Sequence, residues 1–413
     1  MRAAKRPSSP VPSRPILPLA VFRLAAVLLA GALLASASGC GKSAPPGGGG
    51  SGSGAPTGVP GQRGAAALAT KNTTRLGGST PAEDAAAVAL AVYPGLTVAT
   101  RPQTVVLVDE GDWPAALAAS TLAGRPLHAP LLYTSAHGLP QASSDALAAM
   151  GPTGAASLEG AQAIAVGAAQ APAGYDGRAV RASDPVALAV SIERLASALR
   201  KSAPSHIVVT ALDASPAMAM PAAGLAAQSG APILLVERNR MPQATAAELR
   251  RLERPSIYVV GPTSVVSERV EHQLRVFGPV TRIDGGNSPA GNSVAVARYS
   301  DGAFGWGAVE PGHGLVFANA ARPLDGPASA PLAATGDYAP LLVLEAAGAL
   351  PASVASYLHD LQPGTPPTGP VHGVYNHGWL IGDEDAISAR TQASLDAILE
   401  IAPRVTVEAE PGA

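Results

Sequence analysis

Between residues 104 and 382 short, wholly apolar runs alternate with longer small-residue segments whose hydrophobic positions recur at helical spacing. Three of the runs share one form, APLLYT (129–134), APILLV (231–236) and APLLVL (339–344), each bounded by turn residues as buried parallel strands are. Each is preceded by another strand-like run and a helical segment: TVVLV (104–108) with DEGDWPAALAASTLAG, HIVVT (206–210) with ALDASPAMAMPAAGLAAQSG, and GLVFA (314–318) with NAARPLDGPASAPLAATG. After each comes a predicted helix, QASSDALAAM, QATAAELRRLE or PASVASYLHDL, and then a closing strand: QAIAVG (162–167), SIYVVG (256–261) and HGWLIG (377–382). The unit is βαβα, written three times with a period of about 100 residues, and that alternation predicts parallel sheets covered on both faces.

The starts of the units repeat as well. GGSTPAEDAAAVA (77–89) returns as GGNSPAGNSVAVA (285–297), with seven of thirteen positions identical, and RASDPVALAVSIERLA begins at residue 181, about halfway between them. Thr80-Pro81, Asp184-Pro185 and Ser288-Pro289 fall in register. Such a side chain at the N-cap accepts a backbone N–H bond, and proline at N1 lacks only a donor that would be unpaired there. Glu83 completes a capping box with Thr80. The repeated motif is therefore first a signal for helix initiation.

These residues resemble the cell wall-binding repeat family, type two, found in tandem threes on surface proteins of Gram-positive bacteria. Arg75-Leu76-Gly77 and Arg282-Ile283-Asp284-Gly285 match its opening. Pro323-Leu324-Asp325-Gly326, followed by Pro331-Leu332-Ala333-Ala334, matches its turn and small-residue helix. Pro232-Ile233-Leu234-Leu235 matches its short apolar motif, and Val259-Val260-Gly261 its closing strand. The resemblance spans residues 70 to 401. Departures are visible: Ala115 stands where the turn aspartate would be in the first unit, with Asp112 just before it, and Ser215-Pro216-Ala217 replaces that turn in the second. The resemblance implies an α/β fold of three tandem flavodoxin-like (Rossmann-like) parallel-sheet repeats with pseudo-threefold symmetry, an intrachain pseudo-trimer. It also implies binding of an anionic wall polymer, of secondary or teichoic type, in grooves between neighbours.

The first forty residues bear on location. Arg2, Lys5, Arg6, Arg14 and Arg23 form a basic region, and Leu24 to Ala37 is an apolar run too short to span a bilayer. Ala37-Ser38-Gly39-Cys40 resembles a bacterial lipobox, so Cys40, the sole cysteine, is the expected lipidation site, with an ordinary signal peptide as the other reading. The expected organisation is 1–39 lipoprotein signal peptide, 40–70 flexible tether, 71–178, 179–280 and 281–403 as the three repeats, and 404–413 as a tail. GGGGSGSG supports the tether, having no side chains to bury. Removal of residues 1–39 leaves 23 Lys and Arg against 30 Asp and Glu, a formal charge of about −7, which argues against nucleic acid or anionic lipid as a partner recruited by charge alone. The expected location is the extracytoplasmic face of the plasma membrane, lipid-anchored, within the cell wall.

Candidate chemistry is sparse. Asp109, Glu110 and Asp112 precede a helix, where acidic groups serve as caps as readily as they serve acid–base catalysis, and Asp383-Glu384-Asp385 reads the same way. Trp113 suits either a sugar-stacking platform or burial. His372, His377 and Asp383 match no metal-ligand spacing; no G-x-S-x-G elbow occurs, and the lone Gly41-Lys42-Ser43 lies in the tether. No catalytic residues, metal or cofactor are expected. Arg75, Arg282 and, aligned nearby, Arg181 precede equivalent turns, and two roles stay open for them: polymer contact, or ties between repeats. The polymer-binding candidates are Arg75, Asp112, Trp113, Arg181, Arg282 and Asp325. The chain reads as a non-catalytic binding platform, with a transporter's solute-binding lipoprotein and a degenerate wall-glycan enzyme as rivals.

Overall fold

A computed structural model describes residues 68–335, 338–365 and 374–403, so the expected signal peptide, Cys40, the tether up to residue 67, His372 and the tail lie outside the described residues, while the last three residues expected in the tether, 68–70, are part of the folded body. The first pass of the chain forms β1 (Leu68–Ala69), β2 (Thr73–Leu76), α1 (Pro81–Val92), β3 (Val105–Asp109), α2 (Trp113–Ala119), β4 (Leu131–Thr134), α3 (Gln141–Met150) and β5 (Ala163–Val166). The second forms β6 (Gly177–Val180), α4 (Pro185–Arg200), β7 (His206–Ala211), α5 (Pro216–Ser229), β8 (Ile233–Val236), α6 (Gln243–Arg251), β9 (Ser256–Val260) and α7 (Glu268–Leu274). The third forms β10 (Val280–Ile283), α8 (Pro289–Arg298), β11 (Gly314–Asn319), α9 (Asp325–Ala328), α10 (Ala330–Ala334), β12 (Leu341–Leu344), α11 (Ala352–Asp360), β13 (Gly364–Thr365), β14 (His377–Ile381), α12 (Ala389–Leu399) and β15 (Ala402–Pro403).

All three opening helices start as their sequences predict. Thr80, Asp184 and Ser288 are the N-caps, each side chain accepting a backbone N–H, with proline inside the first turn; Thr80 and Glu83 form the capping box. The strands after each A-P dipeptide are wholly buried, as expected of strands covered on both faces.

The sheets reveal an exchange that the sequence does not announce. Their orders are β4-β3-β5-β6, β8-β7-β9-β10 and β12-β11-β14-β2, with β1 antiparallel on the outer edge of β2. Each opening strand thus pairs with the closing strand of the preceding unit: β6 with β5, β10 with β9, and β2, near the start of the described chain, with β14 near its end. The exchange is cyclic and closes on itself.

The helices repeat that cycle. α4 packs on α2, α8 on α5, and α1 on α9 and α10, while α2, α5 and α9 touch one another, as do α5, α10 and the short helical turn at 120–123 that continues α2. Where these meet, the core consists of Ala123, Ala227, Ala330, Ala333 and Ala334, with Trp306 against it. Alanine there lets three backbones approach closely. Gly124 is the extreme case, because a Cβ on it would collide with the carbonyl oxygen of Ala227.

Candidate binding sites at the repeat junctions

Strand register decides what the repeated arginines do. Leu76, Val180 and Ile283 pair with Ile381, Val166 and Val260, each followed by a glycine, so Arg75 and Arg282 occupy one equivalent position and Ala179 the third. Arg75, 5 % exposed, donates to the carbonyls of Gly382 (3.0 Å), Asp383 (2.6 Å) and Ile387 (2.6 Å), and to Oε1 of Gln392 (2.9 Å from Nη2). Arg282 donates to the carbonyls of Gly261 (2.7 Å) and Val266 (2.8 Å) and to the Glu271 carboxylate (2.6 Å). Counted from each closing glycine, these partners are equivalent, Gln392 standing where Glu271 stands. Arg181 comes two residues after the Ala179 position and therefore on the same strand face, from which it reaches the carbonyls of Ala165 and Ala169, both at 2.6 Å. All three guanidinium groups tie a lent strand to the unit that receives it.

The aspartates are placed by the same register. Asp112 caps α2, accepting from the Ala115 N–H at 3.0 Å, and Asp109 accepts from the Gly111 N–H at 2.8 Å. Trp113 is half-buried in the first turn of α2, packed on the central core. Asp325 is fully buried at the junction of the third repeat with the first, beside Arg322, whose Nε lies 3.3 Å from Asp325 Oδ2. Arg322 also pairs with Asp84 of α1 and lies 3.5 Å from Asp383. Burial and the Asp84 charge push the Asp325 carboxyl well above the usual range; burial likewise raises Asp84. Around Arg322, desolvation works to lower the pKa and the neighbouring carboxylates more than offset it. Gly77, at φ +117°, lets the backbone approach here: a Cβ would strike Asp84, whose Oδ1 instead accepts the Gly78 N–H at 2.8 Å. At the other junctions the Asp325 position holds Ala115 and Ala217 and the Asp84 position holds Leu188 and Asn292, all buried. At these two positions one junction of three is ionic, and the sequence reading did not single out Arg322 or Asp84, although an acid in the alanine-rich face of α1 was the available signal.

The carboxyl ends of the strands share another repeated feature. Helices α3, α6 and α11 each follow a buried strand and a short loop, and each has a proline at the N-cap, Pro140, Pro242 and Pro351, with no side chain satisfying the first-turn N–H groups. In the first unit this edge opens into a pocket of 440 Å³ lined by Asp109, Thr134, Ser135, Gly138, Leu139 and Ala168 among others. It lies at the reversal of strand order, beside β3 and β5, where open parallel sheets form their crevice. Among the described residues no three or more His, Cys, Asp or Glu side chains gather as a metal site, and no helix is long and apolar enough to cross a membrane.

The model of the family Cell wall binding domain 2 (CWB2) matches residues 180–271, from the end of β6 through α7. Two solved structures share the fold: Cwp6 from Clostridium difficile, at 16% identity and TM-score 0.62, covering 80% of this chain and 48% of its own, and Cwp8 from the same organism, at 18% and 0.61, covering 80% and 52%. The chain spans about half the length of these structures. No curated protein matches. Residues 180–271 are thus similar to a cell wall-binding repeat, and two further copies of the same α/β unit flank them in the chain.

Proposed function

We propose that this cell-surface, cell wall-binding protein holds an anionic wall polymer at the carboxyl edges of its three sheets, without catalysis, and is anchored to the membrane through lipid on Cys40. The observation that carries the reading is the set of three uncapped helix N-termini at Pro140, Pro242 and Pro351, one per repeat. Unpaired N–H groups and the helix dipole favour an anion there. Three weak sites on one body facing a repeating polymer gain through effective concentration. This arrangement explains how a net acidic chain would bind an acidic polymer: local donors hold the ligand, and net charge sets the salt response. Arg75, Arg181 and Arg282 support these edges by fixing the lent strands, and Asp112, Trp113 and Asp325 shape the turns behind them.

The test is pelleting of the full chain, kept in mild detergent, with native walls before and after acid stripping of their secondary polymers. Binding that disappears on stripping is expected. In the triple variant Pro140→Asp, Pro242→Asp, Pro351→Asp, each new carboxylate caps its own helix and repels an anion, so pelleting should fall while Tm holds or rises. Undiminished pelleting by that variant would refute the proposed edge.

A further inference from the structure

On the opposite, amino-terminal edge of the second sheet, a pocket of 270 Å³ lies between the first and second repeats. Its walls come from Arg125, in the loop after the helical turn at 120–123, from Arg200 at the end of α4, from Ser202 to His206 leading into β7, and from Gln228 to Ala231 at the end of α5. Two guanidinium groups from different repeats, hydroxyls of Ser202, Ser205 and Ser229, and His206 line it, and no carboxylate does. In a chain with more acidic than basic residues that segregation is a local reversal of sign.

Arg200 is only partly committed. Its Nη1 donates to the Gly230 carbonyl at 2.8 Å, whereas Nη2 is buried with no partner. An unpaired buried N–H of a cation is the group that gains most from an incoming acceptor. Arg125 is exposed. The charged groups beside this pocket are otherwise engaged: Glu193, one helical stretch back on α4, accepts from Arg251 (2.9 Å) and Ser197 (2.5 Å), and Arg194 pairs with Glu248 (2.7 Å). Arg194, Ser197 and Arg251 of those pairs, with Lys201, line a second hollow of 560 Å³ that meets the first at Ser202 and Ala203.

We infer that the Arg125–Arg200 pocket binds an oxyanionic group, a phosphate or a sugar carboxylate, at a site separate from the polymer-binding edge. Two guanidinium groups set around a hydroxyl-lined hollow suit an anion with several acceptor oxygens, and the volume accommodates the residue that carries it. The site makes no use of the uncapped helix ends, so it stands or falls independently of the wall-binding proposal.

The experiment is thermal unfolding of the full chain in sodium phosphate, in sodium glucuronate and in sodium chloride at matched ionic strength and pH. One of the two oxyanions is expected to raise Tm by about 2 °C at about tenfold its Kd relative to chloride. A response to phosphate alone assigns a phosphate source, and a response to glucuronate alone a sugar acid. Arg125→Ala, which removes an exposed side chain, and Arg200→Lys, which keeps the charge, should each abolish the difference between salts whatever they do to Tm itself. No difference in the unmodified protein, or a difference that survives in both variants, would overturn the assignment.

Discussion

Arg75→Ala is the substitution that best separates a tie from a ligand contact. The Arg75 side chain is 5 % exposed and serves three carbonyl oxygens and Gln392, all on the unit that receives β2. Truncation leaves those carbonyls facing a cavity. A buried acceptor deprived of its partner costs about 1–3 kcal/mol, and water entering the cavity would rescue some of it, so a net loss of about 3 kcal/mol is expected. For a body of this size that lowers Tm by about 4 °C. The loss should be local at first: hydrogen exchange should accelerate in β2 and β14, whose pairing the guanidinium holds, before it does in β7 or β8. Arg282→Ala should cost nearly as much, since its partners are equivalent and one is a carboxylate. Arg181→Ala, at an exposed position, should cost about 1 kcal/mol or less. If Arg75→Ala left Tm and exchange unchanged while abolishing wall pelleting, the structural duty argued from the register would be refuted.

Asp84→Asn removes the anion that pairs with Arg322 and accepts the Gly78 N–H, and should cost about 3 kcal/mol by denaturant unfolding; Asp325→Asn, replacing a carboxyl that burial already pushes toward its neutral form, should leave stability at neutral pH intact or improved. The Glu193 carboxyl is raised to about 7 by burial and by its hydrogen bond to Glu248, so it is protonated in the folded chain through a range where the unfolded chain has ionised, and stability should decline as pH rises from the ordinary carboxylate value to about 7; Glu193→Gln should flatten that decline in Tm measured against pH. Gly124→Ala puts a methyl group into the carbonyl of Ala227 and should lower stability by about 2 kcal/mol by forcing α5 away from the first repeat.

Much of this fold is legible along the chain because its signals are local. The helix at QASSDALAAM runs over the same ten residues in the structure, and HGWLIG forms a strand over its first five. Caps at Thr80, Asp184 and Ser288 are chemistry within one turn, so a single sequence suffices to place them. Partner choice is not local. Nothing in GRAV or VTRI says which sheet accepts the strand, because alternation and burial read the same on either neighbour. The repeated arginines therefore left two roles open, and the register, which places Arg75 and Arg282 together and offsets Arg181 by two residues, decided their contacts. The ionic junction was illegible for the same reason: Asp84 and Arg322 are 238 residues apart and meet only when the ring closes.

That separation accounts for where the polar groups are concentrated. The first-to-second junction is tethered by about ten residues between β5 and β6, and the second-to-third by about twenty through α7, whereas β14 and β2 are joined only through the whole body of about 300 residues. Closing the longer loop costs about 3 kcal/mol more in chain entropy. At the tethered junctions the equivalent positions hold Ala115 with Leu188 and Ala217 with Asn292, and the ion pair present, Arg282 with Glu271 at the second-to-third, lies on the lent strand instead. The untethered one carries the Arg322 cluster, the fully engaged Arg75, and a further set in which Asn72 donates its N–H to Asp396 (2.7 Å) and its side chain to the Asp396 carbonyl (2.9 Å), while Thr70 bonds Asp396 (2.6 Å). Directional bonds at that point select one register for a strand arriving from the far end of the chain, where apolar packing alone would accept a slip of two residues. The asymmetry of the three junctions thus follows from chain connectivity, and the carboxyl edges proposed for binding can stay alike while the seams between the repeats differ.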